Sequence, residues 1–168
     1  MSGESLWTEE RLKQFVRMRF DGQALFVASN REPVSHVWRD GKIHAEIPAS
    51  GVVTALEPVM RACGGVWVAH GSGDADERTA DVNGRLGLPP DDPSYTLRRV
   101  WLTKAEEEGH YYGFSNEGLW PLCHVVHARP LFRSEDWEQY RIVNGKFATA
   151  LLEEMEGHEA PMVLIQDY

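Results

Sequence analysis

Four short apolar runs, ALFVAS (24–29), VWVA (66–69), TLRRVWLT (96–103) and MVLIQDY (162–168), recur along the chain with longer helix-patterned stretches between them. That alternation most limits the folds open to this sequence. A run that is apolar at nearly every position suits a strand covered on both faces, whereas a one-sided strand alternates. ALFVAS, VWVA and MVLIQDY read as the first kind, and TLRRVWLT alternates as a half-buried strand. Strands separated by helices predict an α/β domain with a mostly parallel sheet and flanking helices.

The intervening stretches supply those helices. From Thr8 to Phe20, Leu12, Phe15, Val16 and Phe20 fall at helical spacing behind Glu9 and Glu10, acids at the positive end of the helix dipole. Residues 1–20 are therefore expected as an N-terminal helical extension, broken by Asp21-Gly22 from a domain over 21–168. Val53, Leu56, Val59 and Met60 predict a helix ending at Gly64-Gly65, its start left open by Pro58. Glu106 to Glu108 mark another favourable helix start, leading into residues 111–124, and a helix over 134–155 has Ser134 and acids at its start and a stripe of Trp137, Tyr140, Val143, Phe147, Leu151 and Met155. Asp40-Gly41 between short alternating runs predicts a hairpin over 34–48, and HGSGDADERTADVNG (70–84) reads as an exposed acidic loop.

At 168 residues the chain fits one domain, and its formal net charge of −9 argues against a non-specific nucleic-acid binder, which needs a cationic surface. No stretch approaches the roughly 20 apolar residues of a spanning helix, and no apolar leader is visible, so no membrane partner and a cytoplasmic location are expected. Cys63 and Cys123 lie far apart without a CxxC pair, which points away from a disulfide framework and a thiolate zinc site. The chain ends on the tip of an apolar strand, so a continuation into a longer enzyme is the expectation.

Ligands of open α/β sheets bind beyond the carboxyl ends of the strands, here SNR (29–31), HGSG (70–73) and QDY (166–168). Arg31 suits a phosphate or carboxylate and Asp167 suits sugar hydroxyls. Ser50-Gly51 opens a helix and lets backbone amides approach a phosphate. Other patterns fail on chemistry. Ser72 lacks the first glycine of a nucleophile elbow, DADERTAD puts Arg78 where a calcium ligand belongs, and His124 with His127 has no third metal ligand. Asp91-Asp92 sits among Pro89, Pro90 and Pro93 as a solvated loop. The segment YYGFSNEGLWPLCH (111–124) carries aromatics with polar edges where a plain core helix would use Leu and Ala.

SNREPV (29–34), YYGFSNEGLWPLCH (111–124), YRIVNGKFA (140–148) and VLIQDY (163–168) resemble, in content, order and spacing, the trehalose-6-phosphate synthases, retaining glycosyltransferases of the two-domain GT-B fold. The resemblance runs from about residue 24 onward. It implies an N-terminal, acceptor-binding, Rossmann-like GT-B domain and transfer of glucose from UDP-glucose to glucose 6-phosphate. By position in the motifs, it implies that Arg31, Tyr112 and Trp120 surround glucose 6-phosphate, with Arg31 and Tyr112 at its phosphate. It likewise implies that Asp167 contacts acceptor hydroxyls as the catalytic-site carboxylate, and that Ser50 and Gly51 form the donor-phosphate loop. The family's tryptophan after the second strand is His70 here, which places His70 in the acceptor site and opens other polyol phosphates, glycerol 3-phosphate among them. The resemblance implies no cofactor and no metal, with UDP-glucose as a substrate, and a missing C-terminal domain as the partner of this one. These residues alone are then expected to be inactive. The other reading is a non-catalytic sugar-phosphate-binding module; the oligomeric state, a homo-oligomer included, is open.

Overall fold

The computed structural model describes residues 7–20 and 23–166. Its centre is a five-stranded sheet in the order β5-β6-β4-β1-β7, built from β1 (Leu25–Ser29), β4 (Val66–His70), β5 (Arg85–Leu88), β6 (Tyr95–Val100) and β7 (Met162–Ile165). All neighbours run parallel except β5, which pairs antiparallel with β6. A separate hairpin joins β2 (Ser35–Arg39) to β3 (Lys42–Glu46), with Asp40 and Gly41 at positive φ in its turn. The expected hairpin and mostly parallel sheet are therefore both present.

β1 shows why an unbroken apolar run was needed. Leu25 and Val27 face one side of the sheet, joining Val53, Leu56 and Met60 of α2 (Gly51–Cys63) with Trp67, Ala69 and Leu97 in one core. Phe26 and Ala28 face the other, packing with Val68, Val100, Ala150 and Leu151 of the long helix over Ser134–Met155. Fully burying such side chains contributes about 1.5–3 kcal/mol each, and the two cores fix α2 on one face and the long helix on the other. Pro58 lies inside α2 and not at its start. Met60 and Val53 remain fully buried around it, so packing outweighs the hydrogen bond that proline removes. α1 (Glu9–Phe20) packs against α2, while residues 1–6 and the expected break at Asp21-Gly22 lie outside the described residues.

Two regions differ from the sequence reading. The acidic stretch over 70–84 is no plain exposed loop: it contains a short helix, α3 (Asp76–Thr79), with Ala75 and Asp76 wholly buried, and leads straight into β5. The aromatic segment continues the helix start expected at Glu106 to Glu108, but as a π-helix. α4 (Lys104–Glu107), opened by a reciprocal capping box between Thr103 and Glu106, runs into a π-helix over Glu108–Leu119 and then α5 (Trp120–Cys123). The long helix, α6 (Ser134–Met155), is anchored to this run by Lys146, whose Nζ donates to Glu106 at 2.7 Å and to the Trp101 carbonyl at 3.2 Å.

Candidate functional site

The parallel register brings three strand tips into one row. Ser29 aligns with Ala69, Ala28 with Ile165, and His70 with Val100. β1 lies between β4 and β7, the position where an open α/β sheet switches direction of winding and leaves a crevice. Asn30, Arg31, His70 and Gln166 stand at these tips, and the π-helix brings His110 to the cavity lined by Asn30 and Gln166 and Tyr111 to Arg31.

Arg31 is exposed, and its guanidinium carbon lies 5.6 Å from the centre of the Tyr111 ring. Among the described residues no carboxylate pairs with it. An arginine stacked on an aromatic and without a counter-ion is poised for an anionic ligand, because its charge is not already neutralised. Its backbone is held: the Arg31 carbonyl accepts from Ser29 Oγ at 2.7 Å, and Ser29 Oγ accepts from Trp67 Nε1 at 2.8 Å.

Two histidines flank this point. His70 is buried at the end of β4, and burial pushes its pKa down against the opposing pull of Glu107 and Asp76. His110, buried in the π-helix and stacked on Tyr140 at 5.6 Å, is pushed down to about 4 by desolvation and then by His70. Both are neutral near pH 7, able to accept from or donate to a hydroxyl without adding charge. Among the described residues, His110 Nδ1, Asn30 Oδ1 and Ser115 Oγ are buried with no hydrogen-bond partner. Asn30 and His110 also line a half-open cavity of about 140 Å³ with Asn144, Phe147, Ile165 and Gln166. Unsatisfied polar atoms beside apolar walls are what a polyhydroxylated ligand can complete.

The residues expected from the sequence are not all gathered here. Tyr111, not Tyr112, lies under Arg31, and Tyr111 was not among the residues expected at the site. Tyr112 is 53% exposed, edges Tyr111 at 5.2 Å, and lines an outward groove with Glu117, Arg133 and Gln139. Trp120 is 43% exposed and stacks on His124 at 4.8 Å. Ser50 occupies the N-cap position of α2 in extended conformation without a capping bond, and no acid stands in the first turn. The amides of that turn therefore keep their positive end open. Gly51 has no close neighbour to exclude a side chain. Asp167 lies outside the described residues. Asn30, His110 and the buried Glu32 were missed; only the first two letters of SNR beside Arg31 hinted at any of them. Among the described residues no cluster of His, Cys, Asp or Glu could hold a metal ion, and no helix is long and apolar enough to cross a membrane.

The model of glycosyltransferase family 20 matches residues 23–168. Trehalose-6-phosphate synthase of Mycolicibacterium vanbaalenii is 35% identical over 153 residues, covering 89% of this chain and 30% of that protein. A synthase structure from Burkholderia xenovorans in complex with glucose-6-phosphate superposes with a TM-score of 0.59 at 22% identity, over 86% of this chain and 28% of that one. An E. coli chain bound with UDP-2-fluoro glucose gives 0.59 at 23%, over 87% and 28%. At those identities the two structures speak for the fold, in which this chain matches the N-terminal portion. The chain thus spans about 30% of the length of the relatives it matches.

Proposed function

The chain belongs to glycosyltransferase family 20, and on that premise we propose that its strand-tip crevice is the acceptor half of a retaining transferase that moves glucose from UDP-glucose to glucose 6-phosphate. Arg31 carries the reading: a guanidinium over an aromatic ring, with no carboxylate partner among the described residues, at the switch point of the sheet where two uncharged imidazoles also stand. Arg31 takes the phosphate and the Tyr111 ring supports it. His70, Asn30 and Asp167 meet sugar hydroxyls, and Trp120 offers an apolar face to the ring. The open N-terminus of α2 at Ser50-Gly51 faces the donor phosphates, with Tyr112 at the rim. Transfer with retention by attack on the same face as the departing phosphate asks no protein nucleophile of this half. The nucleotide-sugar site, the domain carrying it, any homo-oligomer and the cytoplasmic location belong to the same proposal.

The test is titration of glucose 6-phosphate into the chain and its Arg31→Ala form. Losing a charge-assisted phosphate contact costs about 1.5–3 kcal/mol, so Arg31→Ala binds roughly 10- to 150-fold more weakly. Equal affinity in both removes Arg31 from the site. His70 supports a second acceptor, because an imidazole where the family has a tryptophan narrows the apolar wall. Tighter binding of glycerol 3-phosphate than of glucose 6-phosphate decides for that variant.

A further inference from the structure

Behind the strand tips lies a buried ionic cluster that the reading above leaves unused. Arg99 of β6 is fully buried, and its Nε donates to Glu32 Oε2 at 2.8 Å. Nη1 donates to the Asp76 carbonyl and to Thr79 Oγ1, and Nη2 to the Val34 carbonyl, with Asp76 Oδ1 2.8 Å and His36 Nδ1 2.9 Å away. Glu32 reaches the other way: its Oε1 accepts from the Ser72 amide at 2.9 Å and the Ser72 hydroxyl at 3.0 Å. Asp76 accepts from the His36 amide and the Gly73 amide, both at 2.7 Å. The loops after β1 and β4 are thereby tied to β6 and to each other. Gly73 records how close they lie, since a Cβ there would sit 2.3 Å from the His36 carbonyl oxygen.

Such a cluster is weak as a source of stability, because desolvating three charged groups offsets most of their attraction. Its placement is the telling feature. Glu32 is the residue after Arg31, and the Arg31 carbonyl is already fixed by Ser29. The guanidinium of Arg31 therefore projects from a backbone clamped on both sides, next to the loop that begins at His70.

We propose that Glu32 is a positioning residue: held by Arg99 and gripping the Ser72 amide, it fixes the distance between the Arg31-bearing loop and the His70-bearing loop, and so sets the phosphate affinity of Arg31. Glutamine at this position keeps the volume but presents an NH₂ either to Arg99 or to Ser72, so one side of the clasp opens. The part of this proposal that concerns affinity rests on the phosphosugar reading given above.

The experiment has two arms on the 168-residue chain. In the first, glucose 6-phosphate is titrated into wild type, Glu32→Gln, Arg31→Ala and the double variant, each first shown to melt cooperatively. Glu32→Gln is expected to weaken binding at least 10-fold in the wild-type background and to change nothing further in the Arg31→Ala background, since it acts through Arg31. A general loosening would weaken both backgrounds alike, and that result, or wild-type affinity in Glu32→Gln, overturns the role. In the second arm, hydrogen exchange at the Ser72 amide is read without ligand. Protection is expected to fall at least 10-fold in Glu32→Gln, and unchanged protection overturns the clasp. A wild type that binds no glucose 6-phosphate sinks the phosphosugar reading alone, and the exchange arm still decides whether Glu32 ties the loops. Should Glu32→Gln fail to melt cooperatively, Ser72→Ala, which removes one of the hydrogen bonds to Glu32, carries both comparisons with an expected drop of about threefold.

Discussion

Glu32 and His110 hold their protons in opposite senses, and the stability of the molecule should show it. Burial first, and then the neighbouring Asp76 carboxylate, raise Glu32 from 4.5 to about 7. Its contribution is fully present below 4.5 and lost as pH rises through about 7. His110 is lowered from 6.5 to about 4, so its contribution is present above 6.5 and lost as pH falls toward about 4. At about 1.4 kcal/mol per pH unit, each is worth up to about 3 kcal/mol. Between pH 4.5 and 6.5 the two oppose, with the lowered His70 and His36 on the side of His110. Relative to wild type, urea midpoints of Glu32→Gln should climb more steeply with pH across this window. Those of His110→Phe should climb less steeply or fall. Parallel curves for all three proteins would remove both assignments. None of this was readable in the chain. Asp76 looks like one acid in a solvated acidic run, and only the fold brings Arg99 from 23 positions away to bury it.

At the level of elements, the π-helix and α6 meet through glycine. A Cβ at Gly109 would lie 2.7 Å from Gln139 Cβ, and one at Gly113 would lie 2.5 Å from Asp136 Oδ2, so both positions face α6 at closer range than a side chain allows. Asp136 is itself held by Arg133. Gly113→Ala must therefore push α6 away or break that pair, and is expected to cost about 1–3 kcal/mol. Gly145, exposed in the middle of α6 with open space around it, gives the contrasting case: Gly145→Ala is expected to stabilise by about 0.4–1 kcal/mol by reducing the freedom of the unfolded chain. Thermal or urea unfolding measures both, and a neutral Gly113→Ala would show that the two helices are not in firm contact. The apolar period made α6 and α2 legible, because burial of one stripe is a local pattern. The π-helix was not, because Gly109, Gly113 and Gly118 lower local helix propensity and their use is visible only once Gln139, Asp136 and Phe132 stand opposite. β5 was missed for a similar reason: RLGL carries two apolar residues and is a strand only because β6 offers it a partner.

Across the whole molecule, what the sequence did reveal is a consequence of topology. Apolar runs ending in SNR, HGSG and Gln166 had to place their polar tips along one edge once the strands ran parallel, and β1 between β4 and β7 brings those tips to a single crevice. Which tyrosine meets Arg31 was beyond that logic, because it depends on the rotation of a π-helix. The sheet itself is unevenly finished. β5 closes one side antiparallel, while β7 stands at the other with Val163, Leu164 and a 71% exposed Ile165. The relatives, of which this chain spans 30%, have more than twice as much further chain to place around such a sheet. On the proposed reading, a crevice that supplies Arg31 and two neutral imidazoles can take an acceptor but offers little positive charge to a departing nucleotide, and stabilising that developing charge is the largest part of such a transfer. The 168 residues on their own are therefore expected to bind glucose 6-phosphate and to release no UDP from UDP-glucose in its presence. A coupled assay for UDP run beside the binding titration checks both halves of this expectation. UDP release above the uncatalysed rate would mean that the open amides at Ser50-Gly51 suffice for the departing phosphates without further basic groups.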